Sequence, residues 1–118
     1  MTTPGLMRAY KAEMAQGYAR LASLDLDLAF QHFERAHILG QRRTWLHVRA
    51  HAAMLKVGWL RGDAREIAGQ LSRVVAATLF SRIWVPDGNT GGANVSALKP
   101  MPIPEDIKRI LAESDSKT

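Results

Sequence analysis

FERAHILGQ, residues 33–41, ends one helical segment and leads into the next, and its histidine sits where a core residue belongs. On a wheel of 100° per residue with Phe33 at zero, Leu26 falls at about 20°, His37 at about 40° and Phe30 at about 60°. His37 therefore lies inside an apolar stripe, with Glu34 on its border near about 100° and His32 outside it. Such a stripe is the mark of an amphipathic helix packed on a core. Ser23, Asp25 and Asp27 supply a turn and an acidic first turn, and Gly40 reads as a C-cap, so the helix is expected over 24–39.

The flanking segments repeat this pattern. Tyr10, Met14, Gly17, Tyr18 and Leu21 recur at helical spacing, which predicts a first helix over 6–22 after a frayed start ending in Pro4-Gly5. A third helix is expected over 43–61, stopped by Gly62-Asp63, and a fourth over 64–82. The stretch VPDGNTGGANVSALKPMPIP, 85–104, is rich in glycine and proline and cannot be a regular element. Its Val85, Val95, Leu98, Met101 and Ile103 predict an ordered loop over 85–103 lying across the helices. Pro104 then opens a short helix, 104–113, with Ile107, Ile110 and Leu111 inward and the tail ESDSKT mobile.

Short connections make consecutive helices antiparallel neighbours. The expected fold is a single all-α domain over 1–118: a compact antiparallel helical-hairpin domain of four main helices, an ordered Gly/Pro-rich loop and a short C-terminal helix. Ala29-x-x-x-Phe33 followed by Ala36 echoes tetratricopeptide spacing, but two imperfect copies are too few for an array.

Composition narrows the function classes. The chain has 118 residues, 47% hydrophobic and 23% charged, an ordinary globular balance. The absence of cysteine excludes disulfides, thiolate metal sites, iron–sulfur clusters and a catalytic thiol. No leader-like apolar run and no stretch long enough to span a bilayer is present, so a cytoplasmic protein with no membrane insertion is expected. The net charge of +5 is spread along the chain, from Arg8 to Lys117, with Arg42-Arg43 a compact pair. That distribution fits a solvated basic surface better than a nucleic-acid interface.

All four histidines, His32, His37, His47 and His51, fall between 32 and 51. On the third helix, with Leu46 at zero, His47, Met54 and His51 cluster between about 80° and 140°, while Arg49 and Lys56 fall on the opposite side. His47-x-x-x-His51 thus puts two imidazoles one turn apart on an inward face. A turn centred near 41 or 42 brings His37 level with about residue 46 and Glu34 with about residue 49. His37, His47, His51 and Glu34 then form a candidate ligand set for one transition-metal ion: Zn, Cu, Ni or Fe. His32 is expected at the surface, and no organic cofactor is indicated.

Three readings of this cluster stay open: a metal site, a buried structural polar network, and an acid–base pair. A second candidate site is Asn89, Thr90, Gly91, Gly92 and Asn94, whose backbone amides could cradle an anion. The glycines of that loop are equally explained by tight turns.

Together, ERAHILGQ (34–41), HVRAHAAML (47–55) and NTGGANVSALKPMPIP (89–104) resemble a small bacterial family catalogued as domain of unknown function 3703. The positions that match are Glu34, His37, Gly40, His47, His51, Asn89, Gly91 and Asn94. The resemblance implies a compact helical domain and a loose association with bacterial heavy-metal resistance, and it carries over no catalytic residue. The expected function is a small metal-binding protein linked to metal homeostasis or resistance, non-enzymatic in the first instance. The alternative is a helical adaptor that binds a protein partner and keeps its His/Glu cluster as structure.

Overall fold

The computed structural model describes residues 3–80 and 100–116. They form five helices, α1 (Pro4–Ala22), α2 (Leu26–Gly40), α3 (Thr44–Arg61), α4 (Ala64–Phe80) and α5 (Glu105–Ser116), with no strand among the described residues. The all-α helical-hairpin architecture is as expected. α1 packs on α2, α2 on α3 and α3 on α4, while α5 lies against α1 and α2. No helix of the described residues is long and apolar enough to cross a membrane.

Local chemistry sets boundaries that periodicity alone did not. The expected frayed start is instead a capped helix: Thr3 Oγ1 accepts from the Leu6 N–H at 3.2 Å, and Pro4 stands in the first turn, where its missing N–H costs nothing. At the α1–α2 turn Leu24 takes a left-handed φ of 60°, which delays α2 from residue 24 to Leu26. Asp25 caps that helix by accepting from the Leu28 N–H at 3.3 Å. Gly62, with φ 70°, ends α3 as expected, and Asp63 Oδ1 accepts from the Glu66 N–H at 3.0 Å to start α4.

Gly40 corrects the sequence reading. It is the last residue of α2, and Gln41 takes the cap position in right-handed conformation. What requires a glycine is proximity: a Cβ at residue 40 would lie 2.7 Å from Leu46 Cβ and 3.1 Å from Tyr10 Cε2. The end of α2 and the start of α3 therefore meet almost backbone to side chain, next to His37 and His47. Tyr10 ties α1 to the same point by donating from its hydroxyl to the Leu46 carbonyl at 2.8 Å. Burial pushes the Tyr10 phenol up to about 12.

The C-terminal end also differs from expectation. α5 runs to Ser116, so residues 113–116 are helical where a mobile tail was expected. The reason is a stripe that continues past Leu111: Ile107 is fully buried, Ile110 and Leu111 pack on the core, and Ser114 is 1% exposed on the same face. Of the loop expected over 85–103, only 100–103 is among the described residues, and Ile103 there packs against the core. Asn89, Thr90, Gly91, Gly92 and Asn94 lie outside the described residues, as do the last two residues of the expected fourth helix.

Phe33 of α2 belongs to the core with no exposed surface, its ring beside Gly17 of α1, burial worth about 2–3 kcal/mol. Tyr18, expected on the inner face, is 43% exposed and meets Phe33 only edge-on, at 5.1 Å between ring centroids.

Candidate metal centre

The α2–α3 hairpin brings His37 opposite His47, one residue from the level that the turn position predicts. Their Nε2 atoms are 2.9 Å apart, and His51 Nε2 lies 3.0 Å from the same His47 nitrogen. The three ring centroids are 4.7, 4.6 and 4.8 Å apart, a near-equilateral triangle. All three side chains are buried, at 2%, 8% and 3% exposure for His37, His47 and His51.

Protons alone serve this arrangement poorly. A ring nitrogen has one in-plane direction, along which it holds either a proton or a lone pair. His47 Nε2 has two neighbouring nitrogens within hydrogen-bond distance, so one well-directed hydrogen bond leaves the other contact without its own. A cation among the three nitrogens would use all three lone pairs at once. Tetrahedral coordination at about 2.0–2.1 Å needs nitrogens about 3.3 Å apart; the two contacts to His47 Nε2 are a few tenths of an ångström shorter than that, and the three ligand atoms all lie within 4.8 Å of one another. The three imidazoles are a donor set that could hold a metal ion.

The electrostatics keep those lone pairs free. Burial lowers the His47 pKa to about 4. Burial, chiefly, and then His47 lower that of His51 to about 3, against the raising effect of its hydrogen bond to Gln70. Both rings are neutral at pH 7, the form in which an imidazole binds a metal. Arg73 contributes a further lowering influence on His51, while burial depresses the arginine's own pKa and Glu66 partly restores it.

The fourth element completes the surroundings. Gln70 of α4, fully buried, accepts at Oε1 from the His51 Nδ1–H at 2.7 Å. Its Nε2 donates to Glu66 Oε1 at 2.9 Å and approaches Met54 Sδ at 3.5 Å. A metal-binding histidine commonly donates its second nitrogen to such a partner, which fixes the ring. Sequence reasoning missed Gln70. The available signal was its place three residues after Ile67 and four before Val74, a polar side chain on the inward stripe of an amphipathic helix.

The remaining expected residues are placed differently. Glu34, half-buried one turn before His37, is not among the three converging groups. It lines an adjoining cavity of about 390 Å³ with Asp27, Gly58, Arg61, Asp63 and Glu66. His32 is not a free surface residue as expected: its Nδ1 is 2.8 Å from Glu13 Oε2, while Arg35 Nε donates to Glu13 Oε1 at 2.8 Å. Arg35 also pairs with Asp106, so this cluster joins α1, α2 and α5 away from the triad. His47 Nδ1 is buried with no hydrogen-bond partner among the described residues.

No curated protein and no solved structure matches the chain. A family model does, over residues 5–111, a span that contains the three histidines, Gln70 and all but the end of α5. The chain therefore belongs to the family described as Protein of unknown function (DUF3703).

Proposed function

We propose that this protein binds one transition-metal ion through the Nε2 atoms of His37, His47 and His51, and serves in metal homeostasis or resistance. The observation that carries this reading is a cluster of three buried imidazoles whose ligand nitrogens all lie within 4.8 Å of one another, two of them about 3 Å from His47 Nε2. Imidazole donors suit Zn²⁺, Cu²⁺, Ni²⁺ and Fe²⁺, and three of them with an open fourth position suit Zn²⁺ first. Glu34, a turn from His37, and Glu66 supply nearby carboxylate charge rather than a first bond to the ion. The burial of the triad favours holding, sensing or delivering a metal over turnover of a substrate, and a cytoplasmic location belongs to the same reading.

The test is a titration of protein prepared without a histidine tag and stripped of metal, using Zn²⁺, Cu²⁺, Ni²⁺ and Fe²⁺ separately. One equivalent should bind tightly, and His47→Ala with His51→Ala should weaken binding by at least about 100-fold, as loss of two ligands requires. Weak binding that survives the double substitution would sink the proposal.

A partner-binding role draws on a different observation. Trp59 and Leu71, 71% and 52% exposed, border a shallow apolar groove with Leu55 and Ile67 between α3 and α4. Retention of one stoichiometric protein partner by wild type but not by Trp59→Ser, with or without metal, would favour that role.

A further inference from the structure

If three lone pairs are to meet one ion, the single proton of each neutral imidazole must sit on the far nitrogen. Resting on the metal-site reading, we propose that Glu66, acting through Gln70, is the positioning residue that places the His51 proton on Nδ1 and leaves Nε2 bare for the metal.

The argument follows the direction of each hydrogen bond. A carboxylate accepts and does not donate, so the Gln70 amide must turn its NH₂ towards Glu66 Oε1, 2.9 Å away. That leaves Gln70 Oε1 facing His51, and a carbonyl oxygen also only accepts. The proton at the 2.7 Å contact therefore comes from His51 Nδ1. With the amide reversed, its oxygen would face the carboxylate with no proton between them, and its NH₂ would seek a bare Nδ1. His51 would then carry its proton on Nε2, the nitrogen 3.0 Å from His47 Nε2, and that proton would block the ion.

Burial makes the choice binding. Gln70 has no exposed surface, so bulk water is not on hand to stand in for a mismatched partner. Glu66 is itself held by packing, since a Cβ on Gly58 would lie 3.1 Å from its Cγ. Its four-residue spacing from Gln70 on α4 sets the two side chains one turn apart on the same face. Glu66 thus acts on the ligand through one neutral amide.

The experiment reads the tautomer directly by ¹⁵N imidazole NMR on metal-free protein at pH 7.5, and separately measures Zn²⁺ affinity by competition with a chelating dye. Wild type should show His51 protonated at Nδ1. Glu66→Gln removes the accept-only partner, so His51 should become a mixture of tautomers and Zn²⁺ should bind about 10- to 100-fold more weakly. Gln70→Met, of similar shape but without an acceptor, gives a second route to the same loss. The paired exchange Glu66→Gln with Gln70→Glu restores an accept-only group facing His51, and should restore both the tautomer and the affinity. An unchanged His51 spectrum in Glu66→Gln, or no rescue by the paired exchange, overturns the relay. If the tautomer responds as expected but wild type binds no Zn²⁺, the relay stands and the metal reading fails.

Discussion

Lowering the pH from 7.5 to 4.5 should unfold the metal-free protein through its buried histidines. Burial depresses the pKa of His47 to about 4 and of His51 to about 3, whereas both sit near 6.5 in an unfolded chain. The sign follows from proton uptake. Above 6.5 neither state binds these protons, so stability is fully present; below it the unfolded chain takes them up and the folded chain does not. Stability is therefore lost as pH falls from about 6.5 towards 4 and 3. Each group costs between about 1 and 2 kcal/mol per pH unit. Two groups over about two units cost on the order of 5 kcal/mol, comparable to the whole stability of a marginal domain. The Asp106 carboxyl, held low first by its hydrogen bond to Arg35, contributes stability present above its ordinary value of 3.8 and lost only below it, so it does not enter this window. Urea titrations followed by circular dichroism at pH 7.5, 6.5, 5.5 and 4.5 should show the midpoint falling steeply in the last two steps. Saturating Zn²⁺ should shift that fall to lower pH, because the ion competes with protons for the same nitrogens. A loss smaller than about 1 kcal/mol between pH 6.5 and 4.5 would mean that the rings titrate as they do in water, and would refute the buried triad.

Two further perturbations test the scaffold. Gly17→Ala would place a Cβ 2.3 Å from Phe33 Cε1 and 2.7 Å from Cδ1, against a ring with no exposed surface into which to retreat. The expected cost is about 1–3 kcal/mol, a melting temperature lower by roughly 5–15 °C in calorimetry, and a change under about 2 °C would contradict the packing. Tyr10→Phe removes the 2.8 Å bond to the Leu46 carbonyl and should cost about 1 kcal/mol in urea unfolding. The same variant should abolish the phenol that titrates near 12 in ultraviolet absorbance.

Periodicity fixed the direction of each side chain about its own helix. From that alone, His37, His47 and His51 faced inward, and the short turn after Gly40 set α2 and α3 antiparallel with the histidines nearly level. A local hairpin needs no distant information, which is why this part of the site was legible. Azimuth does not say how close two helices come or which third helix covers their seam. Glu34 sits only about 60° from His37 on the wheel, yet lines the adjoining cavity instead of joining the triad. Gly40 carried the sequence signature of a C-cap, but tertiary packing against Leu46 and Tyr10 made it a point of close approach inside the helix. Ser114 looked like part of a polar tail until the face it shares with Ile107 was buried against the first two helices. Gln70 shows the division most clearly. It lies 19 residues from His51, on a helix whose pattern announces a buried face but not what that face meets. The sequence by itself determined the helices, their order and the inward histidines. The packing of α4 onto α3 decided which group holds the His51 proton, because a hydrogen bond depends on a few tenths of an ångström that no helical period encodes.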